Sequence, residues 1–478
     1  MTTAVGTRIA IIGAGFSGSL LAVQLLRRFM PGSRVYLIEK NDRFGRGLAY
    51  STGNPNHLLN VRAGRMSAFA DEPDHFVNWL RAHAGAKGLP GGDGNSSDEF
   101  VPRRLYGAYI QDLLGNEIWQ TGNGRNLFLV PDEAVAIRRR PHCLSVEVRS
   151  GRTYEVDVAV LANGNFPHDD AAAHYYGQPW SQQALAGLHP DAPVLLIGTG
   201  LTMVDTVISL LDQGHRGRIH AVSRRGLLPR RHGDAPSHRP LPLSAIDKSS
   251  IVALLHAVRR EVRSAEGEEN VWRSVVDAFR PFTQQIWLDL STAEKRRFLR
   301  HLRPWWDVHR HRMAPSVADV IERSVRDGRI ELRAARVQAM AADPDGVDVT
   351  LRRRGSEAAE ILRVARVIDC SGPQCDYARI DNPLIRDLLA QGLARPDPLK
   401  LGLDVTLDSA LVNRWGAASR QLYALGPVTR GLFWEITSVP DIREQCWRLA
   451  ALIEDRFSGE TADPSRRPDR ASLAGTLR

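Results

Sequence analysis

The sequence predicts an α/β fold of two Rossmann-like units with a three-layer ββα plan, the second unit inserted into the first and carrying a helical insertion. Three observations lead to it. A strand, a glycine turn, a helix and a second strand open the chain. The same pattern returns near residue 190. Each copy is followed by an alternating, charged stretch that runs into a short apolar strand closed by small residues.

In the first copy, apolar Ile9 to Ile12 enter a turn containing Gly13, Gly15 and Gly18. A helical pattern follows (Leu20, Leu21, Leu25, Leu26, Phe29), and a second apolar run ends at Glu39, about 20 residues beyond the third glycine. This is the context of the dinucleotide-binding fingerprint. Gly13 makes the tight turn, Gly15 lets a pyrophosphate approach the backbone, and Gly18 lets helix and strand pack closely. The helix N-terminus offers free N–H groups and partial positive charge to the phosphates. Glu39 accepts hydrogen bonds from a ribose diol and would repel a 2′-phosphate, so the site suits FAD or NAD. Contacts are expected from Gly13, Gly15, Phe16, Ser17, Gly18, Glu39 and Lys40.

In the second copy, Val194 to Ile197 lead into Gly198-Thr-Gly200-Leu201-Thr202-Met203, an apolar helix, and a strand ending at Ser223-Arg224-Arg225. Aligning the strands puts Ser223 opposite Glu39; equal spacing from the first glycine puts Arg224 there. No acid stands at either position. Guanidinium forks suit a 2′-phosphate, which selects NADPH. Met203 replaces the third glycine, so looser helix–strand packing is expected. Gly198, Gly200, Leu201, Thr202, Ser223, Arg224 and Arg225 are the candidate contacts.

Stretches 126–160 and 330–368 read as antiparallel meanders, closed by strands that end in Gly164 and Gly372, two further candidate contacts. The expected domains are 1–165 with 365–458 for FAD and 190–340 for NAD(P)H, with a helical insertion at about 245–325. Trp272, Trp287, Trp305 and Trp306 in that insertion read either as core packing or as the wall of a substrate cleft. Residues 84–98 read as a polar Gly-rich surface loop, and 459–478 as a disordered tail.

The 478 residues and 43% hydrophobic content allow two or three domains. No apolar run reaches membrane-spanning length, and no signal-like segment precedes the first strand, so a cytoplasmic protein is expected. Four cysteines in so long a chain do not make a disulfide framework. The net charge of +9 is almost all arginine, 58 of the 63 basic residues, spread along the chain without a basic–aromatic block. That speaks against nucleic-acid binding and for attraction of small anions.

Gly45-Arg-Gly47-Leu48-Ala-Tyr50, Asn56-His-Leu-Leu-Asn60, Arg65-Met66, Val101-Pro-Arg103-Arg-Leu-Tyr106 and Gly426-Pro-Val-Thr-Arg-Gly-Leu-Phe-Trp434-Glu-Ile436 together resemble a bacterial family of FAD/NAD(P)-binding oxidoreductases. The resemblance covers nearly the whole chain outside the Gly-rich loop and the tail. That family looks related to the flavin-dependent N-hydroxylating monooxygenases. The resemblance implies flavin-pocket roles for Gly47, Leu48, Asn60, Met66, Arg103, Tyr106, Gly426, Trp434 and Ile436. It also implies that a helix capped by Ser438 turns its N-terminus to the flavin ring, where its dipole favours the reduced, anionic form. Gly426-Pro427 departs from the Gly-Asp usual in the wider group, which puts that carboxylate contact in doubt.

Other chemistries fit less well. Cys370 and Cys375 follow a late strand and not the first helix, so a redox pair is disfavoured. His309-Arg-His311 lacks further ligands at metal spacing, and no G-x-S-x-G elbow exists. His57 reads as a structural hydrogen bonder or, second, as a flavin contact or proton-transfer group. Gly164 and His168 match part of an oxygenase pattern, with Ala162 and Ala172 in place of its aromatic residues. The expected function is NAD(P)H-driven reduction of flavin, then oxygenation of a small, possibly amine, substrate. The alternatives are a reductase without oxygenation and a non-catalytic flavin-binding regulator. The sequence identifies no catalytic acid or base and no metal.

Overall fold

Ile9, Ala10, Ile11 and Ile12 are buried on both faces, as the central strand of a parallel sheet requires. The computed structural model describes residues 6–28, 32–83, 97–119, 126–170, 172–234, 247–264 and 271–458. The expected Gly-rich loop, but for its last two residues, and the expected tail lie outside them.

The chain runs through β1 (Arg8–Ile12), α1 (Phe16–Arg28), β2 (Arg34–Ile38), α2 (Gly47–Tyr50), α3 (His75–His83) and α4 (Arg103–Trp119). It continues through β3 (Leu127–Val130), the antiparallel meander β4 (Ala134–Arg139), β5 (Leu144–Val148) and β6 (Thr153–Val156), and β7 (Val158–Leu161). After β8 (Tyr175–Tyr176) come β9 (Val194–Ile197), α5 (Leu201–Asp212) and β10 (Ile219–Ser223). The helices α6 (Ile251–Ser264), α7 (Val271–Phe279), α8 (Thr283–Asp289), α9 (Thr292–Arg297), α10 (Arg303–Arg310) and α11 (Pro315–Arg326) follow. The chain ends with β11 (Ile330–Asp343), β12 (Gly346–Arg353), β13 (Ala359–Val364), β14 (Arg366–Asp369), α12 (Pro383–Ala390), β15 (Ala410–Val412), β16 (Ala418–Ala424) and α13 (Val439–Ser458).

The first sheet has the order β15-β16-β7-β1-β2-β3, parallel except at β15. Side chains of α1, α4 and α13 pack on one face. The β4–β6 meander and α12 pack on the other. The second sheet, β13-β12-β11-β10-β9-β14-β8, repeats this plan. Its core takes Val204 and Val207 of α5 and Ile321 of α11 on one face, and Val347, Val349 and Leu351 of β12 on the other. Each unit therefore has three layers. Helices α6 and α7 build a separate small core around Leu254, Val275 and Phe279. Trp287 of α8 stacks on Trp434 at 4.7 Å and ties this bundle to the late segment.

Two expectations need correction. The first meander is shorter than 126–160, because Leu127–Val130 joins the first sheet beside β2, in parallel. The strand after the second meander, assigned to the first domain with 365–458, pairs instead with β9 of the second sheet. It does for β9 what β7 does for β1. Each unit closes with its own strand, and the chain returns to the first sheet only afterwards. The two passages between units touch where Gln374 N donates to Phe166 O at 2.9 Å.

The units are clasped at α5. Arg103 Nη1 lies 2.8 Å from Asp205 Oδ2, with side chains only 14% and 8% exposed. Burial pushes the Asp205 carboxyl above the usual carboxylate range, against the pull of Arg103. His57, 3% exposed, accepts from Thr52 Oγ1 at Nδ1 (2.7 Å) and donates from Nε2 to Asp205 O (2.9 Å). Asn54 and Asn56 both bond Asp212 at the end of the same helix. His232 Nε2 donates to Asn60 O at 3.0 Å. The motif expected in the flavin pocket thus docks one unit on the other, and His57 has the structural role.

Asp205→Asn leaves a buried guanidinium without its counter-charge, so it should cost about 3–5 kcal/mol, read by urea denaturation. Burial lowers the pKa of His57, and that of His232 to about 4. Both then bind protons more readily when unfolded, so their contribution is full above about pH 6.5 and falls as pH drops below it, for His232 down to about 4. His232→Gln keeps a donor for Asn60 O and should flatten the pH dependence of the urea midpoint over that range.

Candidate active site

Two turns built alike face the C-terminal ends of the two sheets. Gly13 has φ +103°, and a Cβ there would sit 2.4 Å from Ala162 O of the neighbouring strand end. Gly198 has φ +102°, and a Cβ would sit 2.4 Å from Cys370 O. Only glycine serves in either place. A Cβ at Gly18 would lie 1.9 Å from Gly13 O, so α1 rests directly on its turn. Met203, at the matching place in α5, is fully buried in the core of the second unit.

At the first turn, Gly15 and Gly47 meet backbone to backbone; Gly47 has φ +55°, and its Cβ would lie 2.9 Å from Gly15 Cα. Glu39 accepts from Ala14 N (2.9 Å) and Asn41 N (3.2 Å), so its carboxylate is fixed at the end of β2 beside the turn. Lys40 is exposed next to it. Phe16 and Ser17 begin α1 and are buried. Gly426 (φ +76°) comes so close that a Cβ would lie 2.5 Å from Ser17 Oγ, while its N–H donates to Gln445 Oε1 at 2.9 Å. Pro427 follows in a short turn with no carboxylate. The side-chain oxygen of Asn163, next to the Gly13 turn, is buried without a partner among the described residues. Its one signal in the sequence is its place after β7, before Gly164.

Gly164 (φ +70°) and Gly372 (φ +108°) end the two closing strands with open space where a Cβ would be. Met66 is buried, Asn60 half-buried and Leu48 exposed. Tyr106 is fully buried against Phe16, Tyr50 and Phe76, its hydroxyl unpartnered, and burial raises its pKa well above the phenolic range. Arg103 and Trp434 have their side chains engaged within the protein. Arg103 is taken up by Leu58 O (3.0 Å) and Asp205. Trp434 is packed between Trp287 and Phe298. Ile436 belongs to the core of the first unit. Of the tryptophans in the insertion, Trp287 is core, Trp306 donates to buried Glu435 at 3.1 Å, and Trp305 is exposed.

Helix α13 starts as expected. Ser438 accepts from Asp441 N at 3.5 Å, with Pro440 in the first turn, as suits a helix start. Arg280 of the bundle donates to Ser438 Oγ (3.0 Å) and Asp441 Oδ2 (3.2 Å).

At the second turn, Gly200 caps α5 and leaves open space where a Cβ would be, room for a phosphate. Leu201 and Thr202 open the helix, and Thr202 O accepts from Thr206 Oγ1 (2.9 Å). Ser223 Oγ accepts from Gly226 N and lies near Thr199 Oγ1, both at 2.9 Å, so it shapes the turn. Arg224 and Arg225 line a cleft of about 610 Å³ between β10, the α9–α10 turn and the β11–β12 hairpin.

Cys370 follows the closing strand of the second unit, with its Sγ 3.4 Å from Thr206 Oγ1 of α5, away from α1. Cys370 and Cys375 are both free. Cys370 is buried, with its thiol pushed up to about 12 by burial, and Cys375 sits in the following loop. Among the described residues no group of three or more His, Cys, Asp or Glu is placed to hold a metal ion, and no helix is long and apolar enough to cross a membrane.

Residues 10–166 match the FAD-NAD(P)-binding family model. No curated protein matches the chain. Among solved structures, the reduced form of ornithine hydroxylase (PvdA) from Pseudomonas aeruginosa aligns with 95% of this chain and 100% of its own, at TM-score 0.63 and 15% identity. Ornithine N-hydroxylase KtzI from Kutzneria sp. 744 aligns over 94% and 99%, at TM-score 0.61 and 16% identity. L-Lysine 6-monooxygenase from Pseudomonas syringae aligns over 95% and 99%, at TM-score 0.61 and 17% identity. The first unit is an FAD-NAD(P)-binding domain, and the whole chain has the fold of these proteins.

Glu39→Ala removes the charged acceptor at the first turn. It should weaken FAD binding about tenfold or more without altering the circular dichroism of the protein, as titration of flavin fluorescence will show.

Proposed function

We propose that this chain is an FAD-dependent monooxygenase that draws electrons from NADPH and hydroxylates a small amine. The observation that carries the reading is the pair of matching turns, one ending at an acid and the other at two arginines, on one chain with a clasp between them. The full-length likeness to ornithine and lysine hydroxylases supports the amine.

The residues present fit the cofactors. In this reading, Gly13, Gly15, Gly18 and the start of α1 hold the pyrophosphate of FAD, and Glu39 its ribose. The unpartnered Asn163 oxygen supplies a further polar contact at the same turn. Gly198, Gly200 and the start of α5 hold the pyrophosphate of NADPH, with Arg224 and Arg225 on its 2′-phosphate. Bound flavin supplies the redox chemistry that side chains lack. The protein binds, aligns and excludes water. Gly426 seats the late segment on Ser17 and is held by Gln445 of α13. Glu435, buried between Trp306 and Arg310 (3.1 Å each), holds the bundle against that segment and keeps the joint dry. The clasp through Arg103 and Asp205 fixes the two units relative to each other.

The test follows oxygen uptake with NADPH and a panel of small primary amines, ornithine, lysine and cadaverine among them. Amine-dependent uptake with formation of an N-hydroxylated product is expected. NADPH oxidation indifferent to every amine would favour a reductase, and no flavin bleaching by NADPH would leave only a binding role. Arg224→Ala with Arg225→Ala should raise the NADPH KM about tenfold or more, and the NADH KM far less, because charged hydrogen bonds contribute about 1.5–3 kcal/mol each. Equal effects on both nucleotides would defeat the assignment of the second site.

A further inference from the structure

The β11–β12 hairpin carries arginines on both faces, and the two faces are treated differently. On one face Arg353 Nε donates to Glu360 at 2.8 Å, and Arg333 pairs with Glu331 at 2.9 Å and with Glu360. On the other, Arg336 stands directly across the ladder from Arg352. Arg354, whose N–H extends the ladder to Ala334 O at 2.7 Å, adds a third on the same side. Directly opposed residues have Cβ atoms about 4.5–5.5 Å apart, and like charges so placed are destabilising. None of these three has a carboxylate partner among the described residues. The chain places acids where this hairpin needs neutralising and omits them here.

Arg336 and Arg354 are exposed and Arg352 is half-buried, and Arg353 joins them at one cleft. They line the cleft that also receives Arg224, Arg225 and Arg300, in which Glu357 is the one acid among the lining residues. A cleft of about 610 Å³ is the size of a small-molecule site. Arg225 lies toward Trp305 of the bundle, at 5.9 Å from its ring, so the hairpin arginines form the opposite wall. One phosphate monoester at Arg224 and Arg225 carries about two negative charges at most, and leaves the hairpin wall unneutralised.

We propose that Arg336, Arg352 and Arg354 form an anion-binding wall for a phosphoryl group, distinct from the turn arginines that read the 2′-phosphate. The phosphoryl group belongs either to the nucleotide itself, held from a second side, or to a separate phosphorylated ligand beside it. Three guanidinium forks converging from two strands match the several acceptor oxygens of a phosphoryl group.

The experiment uses the FAD-loaded full chain, wild type and Arg336→Ala with Arg352→Ala, in two calorimetric titrations. One titrates 2′,5′-ADP. The other titrates inorganic pyrophosphate onto protein saturated with 2′,5′-ADP, so that the α5 turn is already filled. Arg363→Ala, on β13 and paired with Asp343, controls for net charge. A loss of about tenfold or more in 2′,5′-ADP affinity assigns the wall to the nucleotide. The same loss for pyrophosphate, with 2′,5′-ADP binding unchanged, assigns it to a separate ligand. No change with either probe, or losses matched by Arg363→Ala, overturns the proposal. Failure of 2′,5′-ADP to bind the wild type would defeat the NADPH reading alone, and pyrophosphate titrated onto the nucleotide-free protein would still test the wall.

Discussion

A buried ion pair holds the two nucleotide units in one relation. Arg103 and Asp205 are each all but withdrawn from water, and each is strongly unfavourable there without the other. His57 is built into the same contact as a neutral ring, accepting at one nitrogen and donating at the other. Asp205 lies on α5, whose first turn follows the second glycine turn. The element that opens at one turn is thus the element fastened to the other unit.

The glycine turns and Glu39 were legible in the sequence because their geometry is local. A φ near +100° and a backbone approach of 2.4 Å admit one residue type, and the spacing to the acid is set by one helix and one strand. The repeat was legible for the same reason. The partner of Arg103 was not, since Asp205 is remote in sequence and nothing local marks it. A motif shared across a family reads equally well as pocket or as dock, and His57, Asn54 and Asn56 proved to be dock. A tryptophan beside a glycine motif carries no sign of which side its ring will face, and the ring of Trp434 faces Trp287 and Phe298. The strand Arg366–Asp369 went to the wrong unit because strand pairing is non-local; only its likeness to β7, read as a rule, would have placed it.

Electrostatics divide the molecule. The first site ends in a carboxylate that two backbone N–H groups hold still. The second opens into a cleft lined by seven arginines. One scaffold, used twice, carries a carboxylate in one copy and arginines in the other at the exit of the second strand.

The insertion of one unit within the other leaves two connecting strips, and the contact of Gln374 with Phe166 lays them side by side. The outgoing and returning passages, antiparallel at this bridge, are held as one, so a change that displaces one displaces the other.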